Sequence, residues 1–353
     1  MYIDFSKTAE LSPQAGQLLQ AFSGFFGQPT WFNLLVSHVY PLESGHITGY
    51  LTAVDAKGQA FIICPVRYVN SRCGVRRFYS LGNYYTPEYN LSCADSGGNA
   101  YKYYAEFFQE LRGYRWRWHE FILQAMLKDD VDALAEQLSR AKIPSIRFFC
   151  FANWYLPVTF TDFDTYMNTR SSRVRNTVRR KTQAFKRLEN TRIELLFKPE
   201  QLSQAEKDYA EVYNDSWKTP EPYPQFLVGL IRLAAEHGGL RMAIAYIGVE
   251  PVAAQFWIVA DNTAYIYKLA YKEAYKSLGI GTVLTAALMQ HVLDVDQVAA
   301  VDYLSGDDEY KKDWMTHRRE RWGILVFNAT TKLGCLLYWT QLFKQGLKKI
   351  INR

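Results

Sequence analysis

The sequence predicts an α+β protein built from two units, each a mixed, mostly antiparallel sheet flanked by helices. Three observations predict it. The second half holds three strand-like runs, "LRMAIAYIG" (240–248), "PVAAQFWIVA" (251–260) and "AYIYKLAY" (264–271), joined by two short turns, which is an antiparallel meander. That meander leads through a glycine pair into a helix (281–293) and then a strand (297–304), an order unlike simple β-α-β alternation. The first half repeats the order in blurred form, and 353 residues suggest more than one core.

In the first half, "GYLTAVDAKGQAFIICPVRYV" (49–69) reads as a hairpin with "DAKG" at its turn, and 74–82 as a third strand. A helix near 99–112, a strand over 114–123, a helix near 129–141 and a strand over 145–151 follow. In the second half, a very basic helix (165–190) precedes a strand (191–198) and helices near 200–216 and 224–237. Gly238 and Gly239 end the last of these. Past the meander, a short helix is expected over 308–317 and a strand over 323–328.

The expected units are 1–160 and 161–330, followed by an amphipathic helix over 331–353. Leu333, Leu336, Leu337, Phe343, Leu347 and Ile350 share one broad face of that helix. Docking onto the C-terminal unit is expected for it, with a membrane-surface role as the alternative.

Composition narrows the class. Hydrophobic residues make up 48% and charged residues 22%, ordinary values for a soluble globular protein. The net charge of +6 hints at anionic ligands without implying nucleic acid. The five cysteines are scattered with no CxxC pair, which argues for a reducing compartment and against a zinc site or disulfide framework. The six histidines show no ligand spacing, so no metal is expected. The stretch "MYIDFSKTAELSPQ" has no apolar signal core, and no run approaches the roughly 20 apolar residues that cross a bilayer. A cytoplasmic location is expected.

The chemistry concentrates in "KSLGIG" (276–281). Amides at a helix N-terminus are unpaired and partly positive. Glycines let that backbone approach an anion, and Lys276 adds charge at the mouth. The alternative is a plain strand-to-helix turn that needs glycine for positive φ.

"KSLGIG" resembles the Q/R-x-x-G-x-G/A acyl-CoA loop of the GNAT acyltransferases, with Lys276 in place of Gln or Arg. "VDYLSGDDEYKKDW" (301–314) resembles a segment of the CelD-like GNAT branch, and "LGNYYTPEYN" (81–90) and "RRKTQAFKRLE" (179–189) are also similar to it. That branch is in turn similar to the Fem-type peptidyl transferases, tandem GNAT units that take their aminoacyl group from tRNA. The resemblance implies two tandem GNAT-like units. The first would be degenerate, since 81–90 holds one glycine and a proline where the second has its loop.

It also implies N-acyl transfer from acyl-CoA to an amine by direct attack, without an acyl-enzyme. The acceptor would be a small molecule or peptide, and tRNA would enter only in the Fem-type reading. A non-catalytic scaffold that binds CoA or a peptide is the remaining alternative. By position, the backbone at Leu269 and Ala270 would polarise the thioester carbonyl. Lys276, Ser277, Leu278, Gly279, Ile280, Gly281 and Thr282 would hold the pyrophosphate.

Proton transfer needs a base for the amine and an acid for the thiolate. Asp302, Asp307 and Tyr310 are the candidates, with Tyr310 as the acid. Their plainer roles are pairing of Asp302 with Lys311 or Arg318, capping by Asp307 of a helix starting near 308, and packing by Tyr310. Tyr265 and Tyr267 share a strand face and are candidate acceptor-channel residues, as is Trp217 ahead of "KTPEPYP" (218–224). Packing and a rigid connector are the alternatives. The basic helix sets Arg170, Arg173, Arg175, Arg179, Arg180, Lys181, Lys186 and Arg187 against Glu189 alone. It is either an anion site or a solvated face.

Overall fold

A computed structural model describes residues 1–22, 24–41, 45–95, 100–114 and 116–351. In chain order the elements are β1 (Tyr2–Lys7), α1 (Pro13–Phe22), α2 (Pro29–His38), β2 (Ile47–Val54), β3 (Ala60–Asn70), β4 (Arg76–Ser80), β5 (Ser92–Cys93), α3 (Ala100–Leu111), β6 (Glu120–Leu127), α4 (Lys128–Arg140) and β7 (Ser145–Pro157). Then come α5 (Phe163–Thr169), α6 (Ser172–Arg187), β8 (Thr191–Leu196), α7 (Leu202–Asn214), α8 (Pro224–Glu236), β9 (Leu240–Ile247), β10 (Glu250–Ala260) and β11 (Thr263–Tyr271). The chain closes with α9 (Ile280–Asp294), β12 (Ala300–Ser305), α10 (Lys311–Trp314), β13 (His317–Phe327) and α11 (Lys332–Ile351).

Two compact units result, Met1–Phe151 with Glu320–Arg353, and Ala152–Arg319. These bounds differ from the expected 1–160 and 161–330 because β13 returns to the first unit. In that unit, β1 to β4 form an antiparallel meander. β4 then runs parallel to β6 (Arg77↔Glu120 to Tyr79↔Ile122), and β13 lies antiparallel on β6 (Arg321↔Leu127 to Phe327↔Glu120). Phe78, Phe107, Trp118 and Phe121 are fully buried in its core.

The second unit repeats the plan. β8 to β11 form the meander, and β11 runs parallel to β12 over Thr263↔Ala300 to Tyr265↔Asp302. The end of β7 lies antiparallel on β12. The α9 sequence is apolar nearly all round, which suits a helix buried in a core. Val283, Leu284, Leu288, Met289 and Val292 are all buried there. β8 to β12 were each expected, with bounds that moved by three residues or fewer, whereas β7, expected over 145–151, runs on to Pro157, and β13, expected over 323–328, starts at His317.

Several elements differ from expectation. The basic helix breaks into α5 and α6 at Arg170, whose backbone is extended and whose buried guanidinium donates to the Trp314 and Met315 carbonyls, each at 3.3 Å. The strand expected over 114–123 starts at Glu120, because the connection before it folds Trp118 inward, its Nε1 donating to the Leu111 carbonyl at 2.8 Å. Helix 308–317 shortens to α10, after a turn in which Gly306 adopts φ +113°.

The C-terminal helix belongs to the first unit, not to the C-terminal one. Leu333 and Leu337 are half-buried, whereas Leu336 and Phe343 are exposed. The Leu347 and Ile350 side chains lie outside the described residues. Among the described residues, no helix is long and apolar enough to cross a membrane.

Candidate active site

β11 builds the site. Its pairing with β10 slips at one point: Phe256 faces Lys268 and Trp257 faces Ile266, leaving Tyr267 as the extra residue of a bulge. On its other edge the ladder with β12 runs only from Thr263 to Tyr265. Past that point the two strands no longer pair, leaving a wedge whose lining includes Leu269 and Tyr271 of one and Tyr303 of the other. Alternate β11 amides beyond Tyr265 point towards that wedge rather than into β10.

The chain then turns through a short 3₁₀ segment, Glu273–Leu278, into α9. Gly279 takes φ +67°, a conformation that disfavours any residue with a Cβ. Its N–H donates to the Lys276 carbonyl at 3.1 Å, and its own carbonyl accepts from Thr282 at 3.0 Å and Val283 at 3.4 Å. The Ile280 and Gly281 amides sit in the first turn, ahead of any intrahelical acceptor. Lys181 of α6 closes the loop from behind, its Nζ donating to the Ser277 carbonyl at 2.6 Å. A Cβ on Gly279 would come within 3.0 Å of the Lys181 stem. Gly281 is freer: a Cβ there would make ordinary contact with Tyr271 and Leu269 at 3.5 and 3.6 Å.

A cavity of about 570 Å³ opens on this loop, a size suited to a small-molecule ligand. Leu269 and Tyr271 of β11 wall one side, and Val174 and Val178 of α6 contribute apolar surface. Thr285 and Tyr303 lie deeper. The Thr285 hydroxyl donates to the Gly281 carbonyl at 2.9 Å and reaches Gln255 Oε1 at 3.2 Å. Burial, with Tyr310 and Tyr166 beside it, pushes the Tyr303 phenol well above its ordinary value. Arg173 and Lys276 bring positive charge to the lining, balanced by Asp313, which accepts from Arg173 at 2.7 Å. Lys276 also pairs with Glu273 at 2.8 Å, which raises its pKa.

Of the residues singled out in the sequence, Leu269, Lys276, Gly279, Gly281, Thr282, Trp217 and Tyr310 line the cavity. Ala270 is fully buried, Ile280 is in the core, Leu278 packs against that core, and Ser277 holds Lys181. Trp217 lies against Tyr271, ring centroids 4.2 Å apart. Tyr265 and Tyr267 are not among the lining residues: Tyr265 is buried, and Tyr267 stacks on Phe256 at 5.4 Å.

The two carboxylates are committed elsewhere. Asp302 is 3% exposed and accepts from Asn153 Nδ2 at 2.7 Å, the Leu304 N–H at 2.6 Å and Arg319 at 2.5 Å. Its ion-pair partner is thus Arg319, not Lys311 or Arg318. Asp307 accepts from Arg318 at 2.9 Å and from Trp154 Nε1 at 2.7 Å. Those two contacts, Arg318 first, hold its pKa below the usual carboxylate value. It does not cap a helix, because α10 starts only at Lys311. Tyr310 stands edge-on to Tyr303 at 5.7 Å, and burial with Asp308 nearby pushes its phenol up to about 12.

Arg173, named within the basic helix as part of an anion site or a solvated face, is in the lining, whereas sequence reasoning missed Tyr271, Thr285 and Tyr303. Simple periodicity points to all three. Tyr271 lies two residues past Leu269, Thr285 one helical turn past Gly281, and Tyr303 on the strand face opposite Asp302. Among the described residues, no group of three or more His, Cys, Asp or Glu side chains could hold a metal ion.

Comparison with known proteins agrees with this geometry. Residues 172–312, which contain the cavity loop, match the acetyltransferase (GNAT) domain family. No curated protein matches the chain in sequence. Among solved structures, FemX is similar with a TM-score of 0.62 at 9% identity, covering 92% of this chain and 97% of FemX. L-PGS from Bacillus licheniformis gives 0.54 at 12% identity, covering 98% of each chain. A tandem GNAT protein from the clavulanic acid biosynthesis pathway gives 0.51 at 8% identity, covering 91% of this chain and 97% of that one. Residues 172–312 therefore match the GNAT domain family, in a chain whose fold is like that of FemX and of a tandem GNAT protein.

Proposed function

We propose that the second unit transfers an acyl group from acyl-CoA to an amine by direct attack. One observation carries the reading: the wedge between β11 and β12 opens onto the turn at Gly279–Gly281, where the Ile280 and Gly281 amides have no intrahelical acceptor. A pantetheine arm in the wedge would place its thioester beside the outward-facing Leu269 amide, with the pyrophosphate on the first turn of α9; the Ala270 amide, next along the strand, points into β10. Lys276 adds charge on that loop, and Arg173 brings a second cation to the cavity lining.

The amine nitrogen attacks the thioester carbon, and the carbonyl oxygen takes up negative charge facing the β11 amides. The C–S bond then breaks. Tyr310, protonated at neutral pH as any phenol is, gives its proton to the departing thiolate and regains one from water. The ammonium proton of the product leaves to solvent, because Asp302 and Asp307 are both engaged by arginines. The half-exposed Trp217–Tyr271 pair marks the acceptor side.

A second reading, aminoacyl transfer from tRNA, draws on one specific feature: Arg175, Arg179, Arg180, Lys186 and Arg187 are all exposed on α6. Calorimetric titration with CoA, acetyl-CoA and longer acyl-CoAs decides between the two. Micromolar binding of CoA, with thiol release that depends on added amine, supports acyl-CoA transfer. Salt-sensitive tRNA binding with no CoA binding would replace it, and CoA binding without thiol release would leave a scaffold.

A further inference from the structure

The outer face of α11 takes no part in the transferase reading. Leu336, Trp339 and Phe343 are 61%, 62% and 70% exposed. Their spacing of three and four residues sets them in one row along the helix. A single exposed apolar side chain is ordinary, but a row of three large ones on one helix is not. The inner face is occupied differently: Tyr338 meets Phe327 at 5.4 Å between ring centroids, and Leu342 faces a cleft with Trp322 and Ile146.

Charge says what the row meets. No Asp or Glu occurs from 321 to 353, while Lys332, Lys344, Lys348, Lys349 and Arg353 all fall in that stretch. Lys332 and Lys344 are exposed, beside the apolar row. A second copy docking through the same face would bring two such basic segments together, which charge repulsion disfavours. An anionic lipid surface complements both features at once. It receives the Trp and Phe rings at headgroup depth and attracts the lysines. The helix is too polar to span, which suits a helix lying in the interface plane.

We propose that α11 is a membrane-surface docking element, with the Leu336–Trp339–Phe343 row inserted into the interface of an anionic bilayer. The proposal stands independently of the acyl donor. The test is co-sedimentation of the full chain with vesicles of phosphatidylcholine containing 30% phosphatidylglycerol, against pure phosphatidylcholine, and light scattering of the chain alone. The variant carries Leu336→Ser, Trp339→Ser and Phe343→Ser together, three exposed positions whose change leaves the core alone. The expected result is at least tenfold stronger partitioning to the anionic vesicles, weakened by 0.5 M salt, and at least a tenfold loss in the triple variant. Failure of the native chain to sediment with anionic vesicles would overturn the proposal. So would equal binding by the triple variant, or a native dimer that the triple variant converts to monomer.

Discussion

Replacing Gly281 with Asp sets a carboxylate where the proposal puts a phosphate. The structure predicts that the fold tolerates it. The added Cβ meets Tyr271 and Leu269 only at van der Waals distance, and an acidic residue in the first turn of α9 suits the helix dipole. The penalty therefore falls on the ligand. Two like charges about 5 Å apart, at an effective dielectric constant near 20, repel by about 3 kcal/mol. Lys276, on the same loop, offsets part of this. A net loss of about 1.4–3 kcal/mol remains, which is a tenfold to hundredfold weaker acyl-CoA affinity. Calorimetry at fixed ionic strength measures it, with circular dichroism to check the fold. Gly281→Ala is the control and should bind within about threefold of the native chain, since its methyl has room. Unchanged affinity in Gly281→Asp with a normal spectrum refutes the phosphate cradle. Equal losses in both variants would mean that the loop acts through its shape rather than its charge.

Four further outcomes are expected. Tyr310→Phe should keep acyl-CoA affinity and lower kcat by about 10²-fold, the size of a positioned acid's contribution; full turnover would remove Tyr310 from the proton path. Asp302→Asn should lower unfolding stability by about 2 kcal/mol in a urea titration, because it leaves Arg319 without its carboxylate, while Asp307→Asn should change both stability and kcat little. Lys218 is brought down to about 8 by burial and then by Lys268, so its charge is disfavoured in the folded chain; the unfolded chain holds more protons between pH 8 and 10.5, and stability should rise through that window. Lys218→Met should flatten that slope and stabilise the chain by about 1–2 kcal/mol at pH 7, which thermal melts at several pH values would show. Titration should give one CoA per chain, because the 81–90 segment lacks the glycine pair; a stoichiometry of two would show that the first unit also binds.

Local periodicity alone determined much of this protein. The β9–β10–β11 meander, the glycine turn and α9 were legible because each states its geometry within a few residues: alternation for strands, short turns between them, a glycine where φ turns positive. The 276–281 loop was legible for the same reason, and it lines the cavity together with Tyr310. The first 48 residues were not, since β1 is an edge strand whose identity comes only from pairing with β2. The division at 151/152 and 319/320 was equally hidden. It depends on β13 joining β6 and the end of β7 joining β12, pairings between segments far apart in sequence, and no local pattern encodes which partner a strand finds. Tertiary structure also decided the carboxylates. The sequence offered Lys311 or Arg318 as a partner for Asp302 and a capping role for Asp307, whereas Arg319 and Arg318 are the residues that reach them once β12 and β13 are in place. The cavity itself is of this kind: it lies beyond the point where β11 and β12 stop pairing, at Tyr265, and no local pattern in either strand marks that point.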